Sequence, residues 1–178
     1  MKTANQLRQS NMAEYLLYMW QMEDLLRGYG CDIDCIRQKL IPAFPETDRA
    51  EEERWMGELC NMMRLEGVTE KGHLQINKNV LLQFTELHQR LTASNRYPDY
   101  NAAYYKALPF IVELQHKGQM DESELESCFN ALYGMLLLRL QKKEISTGTQ
   151  EAMQAISVFI GLLADYYCKD KNNELNEE

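Results

Sequence analysis

Glu113-Leu-Gln-His116 has the three-residue carboxylate–histidine spacing that puts both side chains on one helix face, within reach of a single metal ion. A di-metal helical site needs a second such pair and two further glutamates. His88 has Thr85 three residues before it, and His73 follows a glycine at 72 that interrupts regular helix. The pair therefore reads as a surface ion or hydrogen-bond pair. Cys31 and Cys35 are spaced to lie one turn apart on a helix. They lack the two further ligands of a structural zinc site and have one residue too many between them for a redox Cys-x-x-Cys motif. No glycine-rich phosphate loop and no Gly-x-Ser-x-Gly elbow is present. No catalytic residue, metal or cofactor is expected.

A stronger grouping is aromatic. Tyr97, Tyr100, Tyr104 and Tyr105 crowd one segment, with Lys106 beside them and Pro109 just after. A proline inside a helix frees a carbonyl one turn back, and a freed carbonyl among aromatic rings and a cation can line a pocket. Asn130 and Arg139 are the polar members of an otherwise apolar stretch. These residues nominate a small-ligand site made of Tyr104, Tyr105, Lys106, Glu113, Asn130 and Arg139. The plainer reading has the tyrosine rings in the core with their hydroxyls in water. Arg139 is then a buried cation paired with Glu14, Glu23 or Glu113, since an unpaired buried charge is costly.

Helices must position these groups. Apolar residues recur at steps of three and four almost throughout, and no alternating run marks a strand. The pattern predicts an all-α, antiparallel bundle of six to seven helices. The first covers about residues 6–27 and ends at Gly28 and Gly30. A short one follows over 32–40, capped by Asp32 and stopped by Pro42 and Pro45. The third starts near Asp48, which with Glu51 has capping-box form, and ends at Gly67. The fourth covers 74–93. The fifth covers 99–117, kinked or split at Pro109 and closed by Gly118. The sixth, 125–140, follows a box-like Asp121 and Glu124; residues 131–138 carry no charged side chain, so this helix is expected to be buried at the centre. Gly134 and Gly161, inside apolar helices, are read as points of close helix–helix approach. Thr147 or Thr149 caps the last helix. Residues 1–168 form one domain, and 169–178, KDKNNELNEE, form a disordered acidic tail.

The chain has 178 residues, enough for one domain with a real core, and a formal net charge of −8. That sign opposes sequence-independent binding to nucleic acid or to anionic lipid. The longest uncharged runs are shorter than a membrane-spanning helix. Five cysteines, an odd number in apolar surroundings, fit reduced thiols in a cytoplasmic protein. The ten methionines fill irregular cores and also suit adaptable binding surfaces.

AEYLLYMWQMEDLLR (residues 13–27), GHLQINKN (72–79), AAYYKALPFIVEL (102–114) and CFNALYGMLLLRLQKKEIS (128–146) resemble a family of all-helical Bacteroidetes proteins carrying a domain of unknown function. The resemblance covers nearly the whole chain except the tail. It implies a single cytoplasmic helical domain and brings no activity with it. Two function classes follow: a non-enzymatic interaction or scaffold protein, pairing with itself as a homodimer or with another protein; and a small-ligand binder using the Tyr104–Arg139 set.

Overall fold

The structure, a computed structural model, describes residues 1–117 and 122–175. Among them are eight α-helices, one 3-10 turn and no strand: α1 (Lys2–Ser10), α2 (Met12–Gly28), α3 (Ile33–Lys39), the 3-10 turn (Ile41–Ala43), α4 (Glu46–Leu65), α5 (Gln75–Thr92), α6 (Pro98–Lys117), α7 (Glu124–Leu140) and α8 (Thr147–Lys171). The all-α helical bundle expected from the periodicity is what forms. Contacts divide the chain into two compact units, Met1–Ser10 with Glu14–Val80, and Asn11–Ala13 with Leu81–Glu178.

The helix boundaries differ from the sequence reading where a local polar group decides. The first predicted helix is two. Oδ1 of Asn11 accepts the Ala13 amide (3.1 Å), which caps α2 and separates it from α1. Asp32 caps α3 as expected, accepting the amides of Asp34 and Cys35. Asp48 is not a cap: α4 begins two residues earlier behind Pro45, and Asp48 pairs with Lys2 (2.5 Å). Ser146, not a threonine, caps α8 by accepting the Thr149 amide (3.2 Å). Pro109 lies inside one continuous α6 rather than between two short helices. Gly118 and Asp121 lie outside the described residues, and Ser123 caps α7.

Four helices end in the same motif, in which the third residue past the helix donates to the carbonyl five residues back and the second donates to the carbonyl three residues back. After α2 and α4 the left-handed residues are Gly30 and Gly67 (φ 65° and 68°). After α7 and α8 they are Lys142 and Asn173 (φ 54° and 60°).

In the first unit Met19, Met22, Leu26, Ile36, Met56, Leu59, Met63 and Leu74 form one buried cluster. In the second, α8 is the most buried helix, with Ile156, Phe159, Ile160 and Leu163 at 3 % exposure or less. The expectation of a buried central helix at 125–140 is corrected here. The first two turns of α7 bury Leu125, Cys128 and Phe129, but in residues 131–138 only Met135 is buried and the rest are half-exposed. No described helix is long and apolar enough to cross a membrane.

Candidate functional site

α2 carries Glu23 and Arg27 one turn apart, so both side chains leave the same face. That face meets the segment between α4 and α5. Glu23 is 1 % exposed, and a buried carboxylate must have its lone pairs occupied. Oε1 accepts the Leu74 amide (2.9 Å) and the Asn77 side-chain amide (2.7 Å). Oε2 accepts Nδ1–H of His73 (2.6 Å) and lies 3.9 Å from Arg27 Nη2. Arg27 in turn donates to the carbonyls of Val68 (3.2 Å) and Gly72. Trp20 stacks on the His73 ring, with centroids 4.1 Å apart.

A carboxylate that fixes Nδ1 leaves Nε2 as the working nitrogen, the arrangement used to orient general bases and metal-bound histidines. Such a dyad needs a nucleophile or further ligands. The described residues contain no cluster of three or more His, Cys, Asp or Glu able to hold a metal ion. The buried thiol of Cys60, in the same unit, is a poor nucleophile: burial, then the neighbouring Cys31, pushes it up to about 11. What the cluster does achieve is mechanical. One acid and one arginine of α2 bind five backbone or side-chain groups between Val68 and Asn77, fixing the entry into α5.

The second unit holds an aromatic group. His88 of α5 packs against Tyr100, Tyr104 and Phe159, with centroids 5.9, 4.8 and 5.6 Å away. Its Nδ1 lies 2.7 Å from the Tyr100 hydroxyl. Burial lowers the His88 pKa, and burial raises that of Tyr100, so a neutral imidazole faces a neutral phenol. Cys128, in the same core, is pushed up to about 12 by burial.

Of the six residues nominated from sequence, four contact different neighbours and two, Lys106 and Arg139, are exposed. Tyr104 donates its hydroxyl to Glu124 (2.9 Å), and burial with that bond raises it to about 12. The Tyr105 ring is tilted against that of Tyr104, with centroids 5.5 Å apart, but is 65 % exposed. Lys106 is exposed. Glu113 pairs with Lys117 on the surface (2.5 Å), not with His116. Asn130 donates to Glu122 (3.2 Å). Arg139 is exposed at the end of α7, which corrects the buried ion pair expected of it. Glu23, one of its proposed partners, is engaged by His73, Leu74 and Asn77 instead. Sequence reasoning missed the Glu23 cluster. The available signal was an i,i+4 acid–arginine pair on an apolar helix with a single histidine at a helix start.

The other feature with functional content is apolar. Leu132, Leu136, Leu137 and Leu138 of α7 are half-exposed, Leu140 is 66 % exposed, and Val112 of α6 is 42 % exposed. Surface apolar groups scattered singly are ordinary; a run on one element is not.

The chain belongs to a family described as a domain of unknown function (DUF4924), which it matches over residues 1–174. No curated protein and no solved structure matches it.

Proposed function

We propose that the protein is a non-enzymatic interaction protein whose contact surface is the C-terminal half of α7. The observation that carries this reading is the partial exposure of an uncharged run, residues 131–138 with Met135 alone buried, in a helix whose composition calls for enclosure. Apolar surface of this kind gains by being covered, at about 25 cal/mol per Å². Tyr104, Glu113 and Asn130, three of the polar groups nominated for a ligand, bond to three different side chains, Glu124, Lys117 and Glu122. Burial holds two of the enclosed thiols, Cys60 and Cys128, protonated at neutral pH. All five cysteines are free, which fits action in a reducing compartment such as the cytoplasm.

The test is site-specific photo-crosslinking in intact cells, with a photoreactive side chain replacing Leu138 and, as control, the exposed Glu58 of α4. Crosslinks to a polypeptide from position 138, absent from position 58, are expected. A position 138 that yields no crosslinked polypeptide overturns the reading.

A further inference from the structure

We propose that the occupant of this surface is a second copy of the chain, its α7 packed antiparallel against the first with the crossing at Gly134. The proposal rests on the interaction reading above and names its partner.

Gly134 is the first observation. It lies in the middle of α7, where glycine weakens a helix relative to alanine. It is not among the left-handed residues, so backbone geometry does not require it. Nor does packing within the chain: a Cβ added there would meet nothing within 4 Å. Gly57 of α4 shows the alternative, since a Cβ there would stand 3.4 Å from Ile33 Cδ1. The close approach that a mid-helix glycine permits therefore has no taker among the described residues at position 134. On the same helix face, one turn to either side, lie Asn130, Ala131, Leu137 and Leu138, all half-exposed.

Charge decides which partner fits. α7 is acidic at its start, with Glu122 just before it and Glu126 in the first turn, and basic after its end, with Lys142 and Lys143. Between Glu126 and Arg139 there is no charge. An antiparallel pair crossing at Gly134 brings the acidic start of one α7, with Glu126, beside the basic end of the other, where Lys142 and Lys143 follow the helix. Ala131 then faces Leu137, and Asn130 faces Leu138. The two-fold axis repeats each contact, as an isologous interface requires. Helix dipoles oppose as well. A parallel pair would place acid on acid and base on base, so the helix is self-complementary in one orientation only.

Sedimentation equilibrium of the full chain over a concentration series tests this. The wild type is expected to dimerise. Gly134→Leu puts a side chain into space that is open in the single chain, and should weaken dimerisation about tenfold or more while far-ultraviolet circular dichroism stays unchanged. Glu126→Lys and Lys142→Glu should each weaken self-association about tenfold, because each homodimer then opposes like charges. Mixed in equal amounts, those two variants should form a heterodimer within about threefold of wild-type affinity, since both contacts become opposite in sign. A wild type that is monomeric up to about millimolar protein, or a dimer indifferent to all three substitutions, overturns the proposal. If crosslinks from position 138 reach a different protein while the chain is monomeric, the pairing fails and the interaction reading stands. If position 138 yields no crosslink and the chain is monomeric, both fail.

Discussion

The carboxylate of Glu23 lies 2.6 Å from Nδ1 of His73, fifty residues further along the chain. That bond is one of three that a single buried acid makes to the segment before and at the start of α5. Deleting the acid strands several donors around a carboxylate that is itself 1 % exposed, whereas an amide would keep an acceptor in place. Glu23→Ala is expected to cost about 2–4 kcal/mol and Glu23→Gln roughly half of that. Urea unfolding of both variants measures it; a loss for Glu23→Ala below about 0.5 kcal/mol would show that the segment does not depend on the acid.

Helix content was legible from the chain because a three–four apolar spacing survives any arrangement of the helices. Burial was not. The uncharged run 131–138 and the run 152–164 look alike in sequence, yet Ile156, Phe159 and Leu163 are fully enclosed while Leu136 and Leu137 are half-exposed. Apolar character on all sides says that a helix should be covered, without saying whether its own chain does the covering. The polar site was hidden for a related reason. Glu23 and His73 are far apart in sequence, and no local spacing links them.

The contrast between those two runs has a measurable consequence. Leu163 is 0 % exposed, so Leu163→Ala leaves a cavity and should cost about 2–5 kcal/mol. Leu137→Ala, at a half-exposed site, should cost about 1 kcal/mol when measured in dilute protein. Equal losses in chemical denaturation would mean that the second half of α7 is enclosed by its own chain after all.

Lys142 ends α7 in the left-handed conformation, with φ 54°. Its amide donates to Arg139 and the next amide to Leu138, both at 3.0 Å, so the conformation is imposed by the terminal hydrogen bonds. Glycine adopts it without the Cβ penalty, and Gly30 and Gly67 occupy the corresponding places after α2 and α4. Lys142→Gly is expected to raise stability by about 0.5–1 kcal/mol, while Lys142→Ala gains nothing. Thermal melts in dilute protein compare the three, and a destabilised glycine variant would contradict the assignment.

Burial holds the His88 pKa below its ordinary value of 6.5, against a smaller upward pull from Glu124 of α7. Tyr100 and Tyr104 of α6 and Phe159 of α8 are the rings it faces, and none offers a charge. The unfolded chain therefore takes up a proton at a pH where the folded chain does not. Stability from this residue is fully present above about pH 6.5 and falls as the pH drops from there through the depressed folded value, by up to about 1.4 kcal/mol per pH unit. Replacing the imidazole by a group that does not titrate removes this slope, so His88→Gln should be less stable than wild type at pH 7.5 by a margin that narrows at pH 5.5. Urea midpoints of both proteins at the two pH values test it. A margin that stays constant would mean that the His88 imidazole has the same proton affinity folded and unfolded, and that its contact with Tyr100 is open to water.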